Sequence, residues 1–383
     1  MTSSPLRILT VLPVLGQPRD SKRVDMLVSL GFDVTVAAFN RAYHSGRMPS
    51  CPTLIIGTIS HGNYLQRIGK MVGALPKLRR AMKSRDIVYA SSPDMALLAM
   101  LAGLLLRKKV ILEVGDVREI QTSDGFKGWI VRVIDRFVTN RCALLVVTAA
   151  GFLDNYYRRW LGSNVPAIVV ENKLEASAAA GRDQSTRGNL PSGRPLIDRP
   201  LRIGYFGLLR CQWTWDVLKA FALKHPQKVE IIVAGYPMEP GDIASQVTSI
   251  PNITYLGEYK SPSDLPKLYG QVDLVWACYK FIGPKDWNLK WARPNRFYES
   301  CYFGRPLISR SGSCDSIEVA RFKIGLNINS YDIPDVVAEL ESITVDMVDQ
   351  WRANSIALPI DLFVYTDEAE KLKSHINDLS IQS

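Results

Sequence analysis

A chain of 383 residues with 47% apolar and 22% charged residues has the composition of a soluble globular protein and enough length for two domains. Its longest apolar run, residues 95–106, is shorter than the roughly 18 residues of a membrane-spanning helix. Residues 1–172 contain 23 Lys and Arg against 12 Asp and Glu, a charge of +11, so the rest of the +10 chain carries −1. The composition excludes a spanning helix and places the basic excess in the first half.

Seven strands are predicted in this first half, at residues 7–13, 33–39, 53–58, 86–91, 109–115, 143–148 and 167–171. Most are continuous β-branched runs, which is typical of strands buried on both faces of a parallel sheet. Helical patterns lie between them. Residues 21–31 end at a glycine, and residues 129–141 carry an apolar stripe of the kind that faces a core.

The segment 67–85, which contains seven Lys and Arg, is predicted to form a basic amphipathic helix. Its apolar residues recur at helical spacing and are Ile68, Met71, Val72, Leu75, Leu78 and Met82. Such a helix suits an anionic membrane surface, but it is also compatible with the solvated face of an ordinary packing helix. Nucleic acid is a third interpretation of the charge, although no nucleic-acid-binding module accompanies it.

The composition then changes, because residues 175–200 are rich in Ala, Ser, Gly, Pro and Arg and show no periodicity. Six further strands are predicted at residues 201–207, 229–235, 253–257, 272–278, 305–309 and 324–328. We therefore expect an α/β protein with two doubly wound parallel-sheet domains, at residues 1–172 and 201–360. Residues 173–200 form the linker in this prediction, and residues 361–383 form a closing helix.

Ligands of such sheets bind beyond the carboxyl ends of the strands, and in a two-domain arrangement both sets of ends can face one cleft. After the first strand of the second domain come Gly207 and Arg210. A glycine turn, a helix N-terminus and a guanidinium suit a diphosphate, with the helix expected to begin near Trp215. Gly207 is equally explained as a plain strand-to-helix turn.

Glu299 lies in the middle of a short predicted helix that starts near Pro294 and stops at Gly304. An ionised carboxylate accepts two hydroxyl donors at once, which matches a ribose diol, while Arg293 and Arg296 would offset phosphate charge. The alternative is a solvated Glu299 paired with Arg296 three residues earlier.

The segment "PNRFYESCYFGRPLI", residues 294–308, resembles the second-domain signature of family-four nucleotide-sugar glycosyltransferases with the GT-B fold. Residues 20–39, 167–175, 201–210 and 253–279 are similar to other segments of that family, in the same order along the chain. The resemblance implies a glycosyltransferase of bacterial exopolysaccharide, capsule or lipopolysaccharide synthesis. It also implies a UDP- or GDP-linked sugar as donor.

The resemblance further implies roles for individual residues of the second domain. Glu299 would bind the ribose hydroxyls, Arg210 would face the diphosphate, and Arg293, Asn295 and Arg296 would lie along the nucleotide or donor sugar. One departure is Trp291, since many relatives have a second glutamate at that position. Nearby, Lys285, Asn288 and Lys290 stand where the sugar would be read, which suggests an acidic sugar such as a uronic acid.

The acceptor side is expected in the first domain, where Glu113 and Asp116 end a buried strand. An inverting reaction needs a general base, and Asp116 is the first choice, with helix N-capping as its alternative role. Gly16 and Asp20 are candidates for acceptor contact. Phosphate candidates are Arg19, Lys22 and Arg23. Weaker candidates follow the fourth strand and are Ser91, Ser92 and Asp94, while His61 is a further candidate whose alternative is a loop histidine.

The resemblance implies transfer of a glycosyl group to a hydroxyl of a saccharide acceptor, and the basic charge of residues 1–172 suits an acceptor carried on a lipid. No DxD-type cluster is well placed, so no metal is expected. With no CxxC pair and no signal-peptide pattern, we expect a reduced, cytoplasmic protein at the inner face of the membrane. Alternatives are a sugar-nucleotide epimerase of similar architecture, or a basic membrane- or nucleic-acid-binding protein without catalysis.

Overall fold

The computed structural model describes residues 4–41, 47–59, 64–175 and 199–381, with the side chains of residues 64–67 left out. His61 and most of the predicted linker lie outside the described residues. The chain divides into two compact units. Unit 1 comprises Met1–Asn172 and Asp367–Ser383, and unit 2 comprises Lys173–Thr366.

Unit 1 contains a seven-stranded sheet, and all of its strand pairs are parallel. The strands are β1 (Arg7–Leu12), β2 (Asp33–Asn40), β3 (Thr53–Thr58), β4 (Ile87–Ser91), β5 (Lys109–Val114), β6 (Leu144–Val147) and β7 (Ala167–Val169). Their order is β3-β2-β1-β4-β5-β6-β7, so the chain reverses its winding direction between β1 and β4. All seven predicted strands are present, because each apolar run is long enough to fill a buried sheet position.

Within the described part of residues 4–172, five α-helices and one π-helix accompany this sheet. They are α1 (Pro18–Ser29), α2 (Tyr64–Lys83), α3 (Pro93–Ala102), α4 (Glu119–Thr122), α5 (Phe126–Thr139) and the π-helix Phe152–Trp160. A proline stands in the first turn of both α1 and α3, where its missing N–H costs nothing.

Two helices of unit 1 pack differently from what their sequence patterns suggest. In α2, Leu78 and Met82 are buried, whereas Ile68 and Val72 of the same stripe are exposed. In α5, the apolar stripe of residues 129–141 does not face the sheet, and most of its side chains are exposed.

Unit 2 contains a second parallel sheet, of six strands in the order β10-β9-β8-β11-β12-β13. The strands are β8 (Leu201–Arg210), β9 (Val229–Glu239), β10 (Ile253–Tyr255), β11 (Leu274–Trp276), β12 (Leu307–Arg310) and β13 (Gly325–Ile328). All six predicted strands are therefore present. The predicted α/β class with two doubly wound parallel sheets is confirmed.

The α-helices of unit 2 are α6 (Gln212–Lys224), α7 (Ile243–Gln246), α8 (Leu265–Gly270), α9 (Trp287–Trp291), α10 (Asn295–Tyr302), α11 (Cys314–Phe322), α12 (Ile333–Glu341) and α13 (Val345–Ile356). The final helix, α14 (Glu368–Ile381), belongs to unit 1. There Lys109 Nζ donates to the carbonyl of Leu379 at 2.7 Å.

The predicted tight turn at Gly207 is wrong, because β8 continues through this residue to Arg210. Gly207 has a φ of +102° and pairs with Gly235, whose φ is +133°. A Cβ on Gly235 would lie 1.8 Å from the carbonyl oxygen of Gly207, so the two strands reach this close approach only with glycine. The following helix begins at Gln212, slightly earlier than predicted.

None of the described helices combines the length and the apolar content that crossing a bilayer requires.

Candidate active site

Glu299 is the carboxylate at the centre of the candidate site in unit 2. Its side chain lies in α10 and is 6% exposed. The Tyr269 hydroxyl of α8 donates to Glu299 Oε2 at 2.7 Å. Burial and the nearby carboxylate raise the pKa of the Tyr269 phenol well above its usual value, so the phenol stays a donor. The alternative of a solvated Glu299 is therefore excluded.

Arg296 lies one turn before Glu299 and is also buried. Its Nη1 donates to the carbonyl of Trp276 at the end of β11, at 3.2 Å. Its guanidinium carbon lies 5.2 Å from the ring centre of Tyr205 and 4.9 Å from that of Tyr279. Among the described residues, no carboxylate forms an ion pair with Arg296. A buried cation in such surroundings favours an anionic ligand.

Gly207 and Tyr259 complete this neighbourhood. A Cβ on Gly207 would lie 3.8 Å from the Tyr259 hydroxyl and 3.9 Å from Arg296 Nε. Burial and the Glu299 carboxylate raise the pKa of Tyr259. Three of the predicted residues, Gly207, Arg296 and Glu299, are therefore gathered at the carboxyl end of the second sheet.

The other predicted donor residues have more varied surroundings. Arg293 is mostly buried, and its guanidinium lies 3.6 Å from both Asp315 and Glu318, so its charge is largely compensated. Asn295 is the exposed first residue of α10. Arg210 is exposed at the end of β8, where it pairs with Glu239 in the sheet register.

The short helix α9 carries two further candidates for binding the nucleotide-sugar donor, Asn288 and Lys290, both half-buried, and Lys285 just before this helix is exposed. The rings of Trp287 and Trp291 stack with centres 5.3 Å apart, and Lys290 Nζ lies 5.0 Å from the Trp287 ring centre. Trp291, the departure from the family pattern, is thus a packing residue of this helix.

Sequence reasoning missed a second buried arginine at the same sheet edge. Arg310 ends β12, donates to the carbonyl of Ile328, and lies with its guanidinium carbon 3.9 Å from the Tyr331 ring centre. No carboxylate of the described residues forms an ion pair with it, and its buried Nε has no hydrogen-bond partner there. The signal was available, because Arg310 directly follows a predicted buried strand.

In unit 1, three neighbouring strand ends bring Asp20, Ser91 and Asp116 to one edge, as the strand order β1-β4-β5 requires. Ser91 Oγ donates to Asp20 Oδ1 at 2.8 Å, and Arg19 Nη1 donates to Asp116 Oδ2 at 2.8 Å. Arg19 Nε also lies 3.4 Å from Asp20 Oδ1. Arg19 therefore lies between a buried carboxylate and an exposed one.

Gly115 makes this arrangement possible, since a Cβ there would lie 2.0 Å from the Arg19 guanidinium. Burial raises the pKa of Asp20, whose Oδ2 has no hydrogen-bond partner among the described residues. Gly16, with a φ of +83°, makes the turn between β1 and α1 that leads into these residues.

Glu113 is placed differently from Asp116. It is buried, Arg23 Nε donates to its two oxygens at 3.0 and 3.2 Å, and the Tyr89 hydroxyl donates to Oε2 at 2.6 Å. Arg23 also donates to the carbonyl of Val170 at 2.9 Å. These bonds tie α1 to the sheet, so the geometry favours a structural ion pair over a proton acceptor.

The weaker candidates extend the same edge. Arg118 Nη2 donates to Asp94 Oδ1 at 2.8 Å, and Ser92 also donates to that carboxylate. Ser92 has a φ of +135°, a conformation that is uncommon for a residue with a side chain. Across the described part of the chain, no group of three or more His, Cys, Asp or Glu is arranged to hold a metal ion.

Comparison with known proteins places this geometry in context. No family model matches the chain. The chain is 29% identical over 352 residues to the succinoglycan biosynthesis protein ExoL of Rhizobium meliloti strain 1021, covering 88% of this chain and 85% of that protein.

Solved structures match the whole chain in fold. HepE of Anabaena in complex with UDP superposes with a TM-score of 0.72 at 13% identity, covering 97% of this chain and 100% of HepE. Sucrose-phosphate synthase of Thermosynechococcus elongatus gives a TM-score of 0.72 at 13% identity, covering 98% and 100%. A lipopolysaccharide outer core galactosyltransferase, WaaB, gives 0.61 at 11% identity, covering 97% and 99%.

The chain has the GT-B fold. Its likeness to a polysaccharide biosynthesis protein, together with the glycosyltransferases among its structural neighbours, supports the predicted glycosyltransferase of exopolysaccharide synthesis.

Proposed function

We propose that this chain transfers a sugar from a nucleotide-sugar donor to a hydroxyl of a lipid-linked saccharide during exopolysaccharide synthesis. The observation that carries the proposal is that α10 places two buried groups of opposite charge one turn apart. Glu299 is a carboxylate held by Tyr269, and Arg296 is a cation without a carboxylate partner among the described residues. A ribose diol and a diphosphate are the complementary ligands.

A UDP-linked donor is favoured because HepE has been solved with UDP and with UDP-glucose. In the proposal Glu299 accepts from the ribose hydroxyls, and Arg296 meets the diphosphate beside Gly207, where the absent side chain leaves room for it. The remainder of the nucleotide-sugar donor lies along Arg210, Arg293, Asn295, Asn288 and Lys290.

The reaction breaks the bond between the anomeric carbon and the diphosphate and forms a bond from that carbon to the acceptor oxygen. The acceptor proton passes to the Asp116 carboxylate, which Arg19 orients, and the nucleoside diphosphate leaves with the electron pair. Because arginines meet the leaving-group charge, the proposed reaction needs no added metal. Equal rates with EDTA and with Mg²⁺ would support this part of the proposal.

The test is donor binding by calorimetry and acceptor-dependent UDP release with the full chain. Replacing Glu299→Gln removes a charge-assisted hydrogen bond of about 1.5–3 kcal/mol, so we expect UDP affinity to fall by about 10- to 100-fold. The matched control is Glu230→Gln, which removes a carboxylate from a partly exposed pair with Arg202 at the amino ends of β8 and β9. Release of UDP without an acceptor dependence would favour the epimerase alternative, and undiminished UDP binding in Glu299→Gln would refute the proposed site.

Peripheral membrane attachment is the second part of the proposal, because a lipid-linked acceptor lies at a membrane surface. The exposed basic residues of α2 that support it are Lys70, Lys77, Arg80 and Lys83. Changing these four residues to Gln should weaken binding to anionic vesicles, most strongly at low salt.

A further inference from the structure

Helix α5 of unit 1 is oriented with its apolar side towards solvent. Phe126 is 73% exposed and Trp129 55% exposed. The exposed apolar residues, called here the α5 face, are Phe126, Trp129, Ile130, Val133, Ile134 and Phe137. At 3.6 residues per turn they share an arc of about 140°, which is the width of a buried stripe in an ordinary amphipathic helix.

Buried polar contacts fix this orientation on the other side of the helix. Asp135 is buried and accepts from Gln121 Nε2 at 2.6 Å and from the Tyr156 hydroxyl at 2.7 Å. Gly128 is buried too, and a Cβ there would lie 2.2 Å from the carbonyl oxygen of Ser123. The helix therefore cannot turn its apolar side inward without breaking a buried hydrogen-bond network.

A second exposed apolar segment is the loop that follows α3, the helix that packs against α5. Leu104 and Leu105 are exposed, Leu105 at 93%. Arg79 of α2 holds this loop, because its Nη1 donates to the carbonyls of Ala102 and Leu104 at 2.9 and 2.7 Å. Since α3 packs against both α2 and α5, exposed apolar side chains occur on three adjacent elements.

The charges around these apolar residues are mainly basic. Lys127 and Arg136 are exposed and flank the α5 face on its two sides, at about 100° per residue. Arg107 is exposed beside Leu105, and the exposed lysines and arginine of α2 lie on the helix that packs against α3. The exposed acids near α5 include Asp124, just before it, and Glu119 in α4. With a net charge of +11 over residues 1–172, two copies of this surface would repel each other, whereas an anionic surface would attract it.

We propose that the α5 face and Leu104–Leu105 insert into the interfacial layer of an anionic lipid membrane. A solvent-facing apolar arc, with Phe at its centre, Trp at one edge and Lys and Arg at its borders, is the arrangement of helices that lie in a membrane interface. The basic residues draw the unit to the surface, and the α5 face adds an apolar attachment that salt does not screen. The proposal does not depend on the transfer reaction, since it concerns binding of the substrate-free protein to lipid.

The experiment is co-sedimentation of the full chain with vesicles of phosphatidylcholine alone, or with a quarter of phosphatidylglycerol, at low salt and at about 0.5 M salt. The test variant carries Trp129→Gln, Val133→Gln and Phe137→Gln. The matched control carries Leu223→Gln, Ile317→Gln and Ile360→Gln, which are exposed apolar residues of unit 2. Thermal melts verify that both variants fold.

We expect wild type and control to bind the anionic vesicles and to keep part of that binding at high salt. The α5 variant should bind at least about tenfold more weakly at low salt and lose the salt-resistant part. Equal binding of the α5 variant and wild type would overturn the proposal. So would a wild-type dimer that the α5 variant converts to a monomer without any change in vesicle binding, because the face would then serve self-association. Glu299→Gln should bind vesicles like wild type, which separates this proposal from the proposed activity.

Discussion

The arginines at the two sheet edges differ in how their charge is met. In unit 1, Arg19 pairs with Asp116 and Arg23 pairs with Glu113. In unit 2, Arg296 and Arg310 are buried, but their guanidinium groups contact carbonyl oxygens and aromatic rings and form no ion pair with a carboxylate of the described residues.

This difference indicates whether each sheet edge is suited to a charged or a neutral ligand group. A buried cation without a counter-charge is costly in the free protein, and an anionic ligand recovers that cost on binding. In the proposed function, the edge of unit 2 therefore meets the diphosphate. The charges at the edge of unit 1 already compensate one another, so we propose that this edge takes the neutral acceptor hydroxyl, with Asp116 as the proton acceptor.

The largest effect is expected at the exposed carboxylate of unit 1. Asp116→Asn retains the contact with Arg19 but removes the proposed proton acceptor, so turnover should fall by about 10²- to 10⁴-fold with UDP affinity unchanged. Acceptor-dependent UDP release and calorimetry measure the two quantities. Wild-type turnover in Asp116→Asn would leave unit 1 without its proposed base.

The next prediction concerns the buried ion pair of unit 1. Glu113→Gln removes the carboxylate charge that pairs with the buried Arg23, so the free energy of unfolding should fall by about 3–5 kcal/mol. Glu230→Gln, in the partly exposed pair of unit 2, should cost no more than about 1 kcal/mol. Urea unfolding followed by circular dichroism measures both. A stable Glu113→Gln protein that has lost turnover would instead make Glu113 a catalytic residue.

Within unit 2, the paired and unpaired arginines can be compared directly. Arg296→Met should weaken UDP release activity by about 10²- to 10³-fold, because the removed donor meets the charge of the leaving group. It should also abolish the rise in melting temperature that UDP gives wild type. Arg202→Met is the control, since Glu230 already compensates Arg202, and this pair lies at the amino ends of β8 and β9, outside the proposed donor site. Similar losses of UDP release activity in the two variants would contradict the proposed difference between unpaired and paired arginines.

The smallest effect is expected at Asp20, where burial raises the pKa of the carboxyl. A raised pKa means that the folded state binds the proton more tightly than the unfolded state does. Stability is then greatest below the pKa of the unfolded chain and declines as pH rises through the folded value. Asp20→Asn should therefore raise the melting temperature near pH 7 and flatten its decline between acidic and neutral pH. If the melting temperature of Asp20→Asn varies with pH as in wild type, ionisation of Asp20 does not lower the stability of the folded protein.

Much of the fold follows from local patterns in the chain. All thirteen strands were predictable because each is a compact apolar run between turn residues, and parallel pairing follows from the intervening helices. That Glu299 and Arg296 lie on the same short helix was predictable from one short segment. The turn at Gly207 was not, because the close approach to Gly235 depends on two strands that are distant in sequence.

The partners of the site residues were equally out of reach of the sequence. Tyr269 is 30 residues from Glu299, and Arg23 is 90 residues from Glu113. A pattern of residue types identifies carboxylates and arginines near strand ends. It does not state which of them neutralise one another.

By itself, the sequence determined the order of strands and helices, the basic first half and the residue types at the strand ends, since these depend on composition and short-range periodicity. Only the tertiary structure decided which arginines are paired and which side of α5 faces water. Both outcomes depend on long-range contacts: α5 is held by Gln121 and Tyr156 through Asp135, and an apolar stripe in the sequence is the same whether its helix faces a core or solvent.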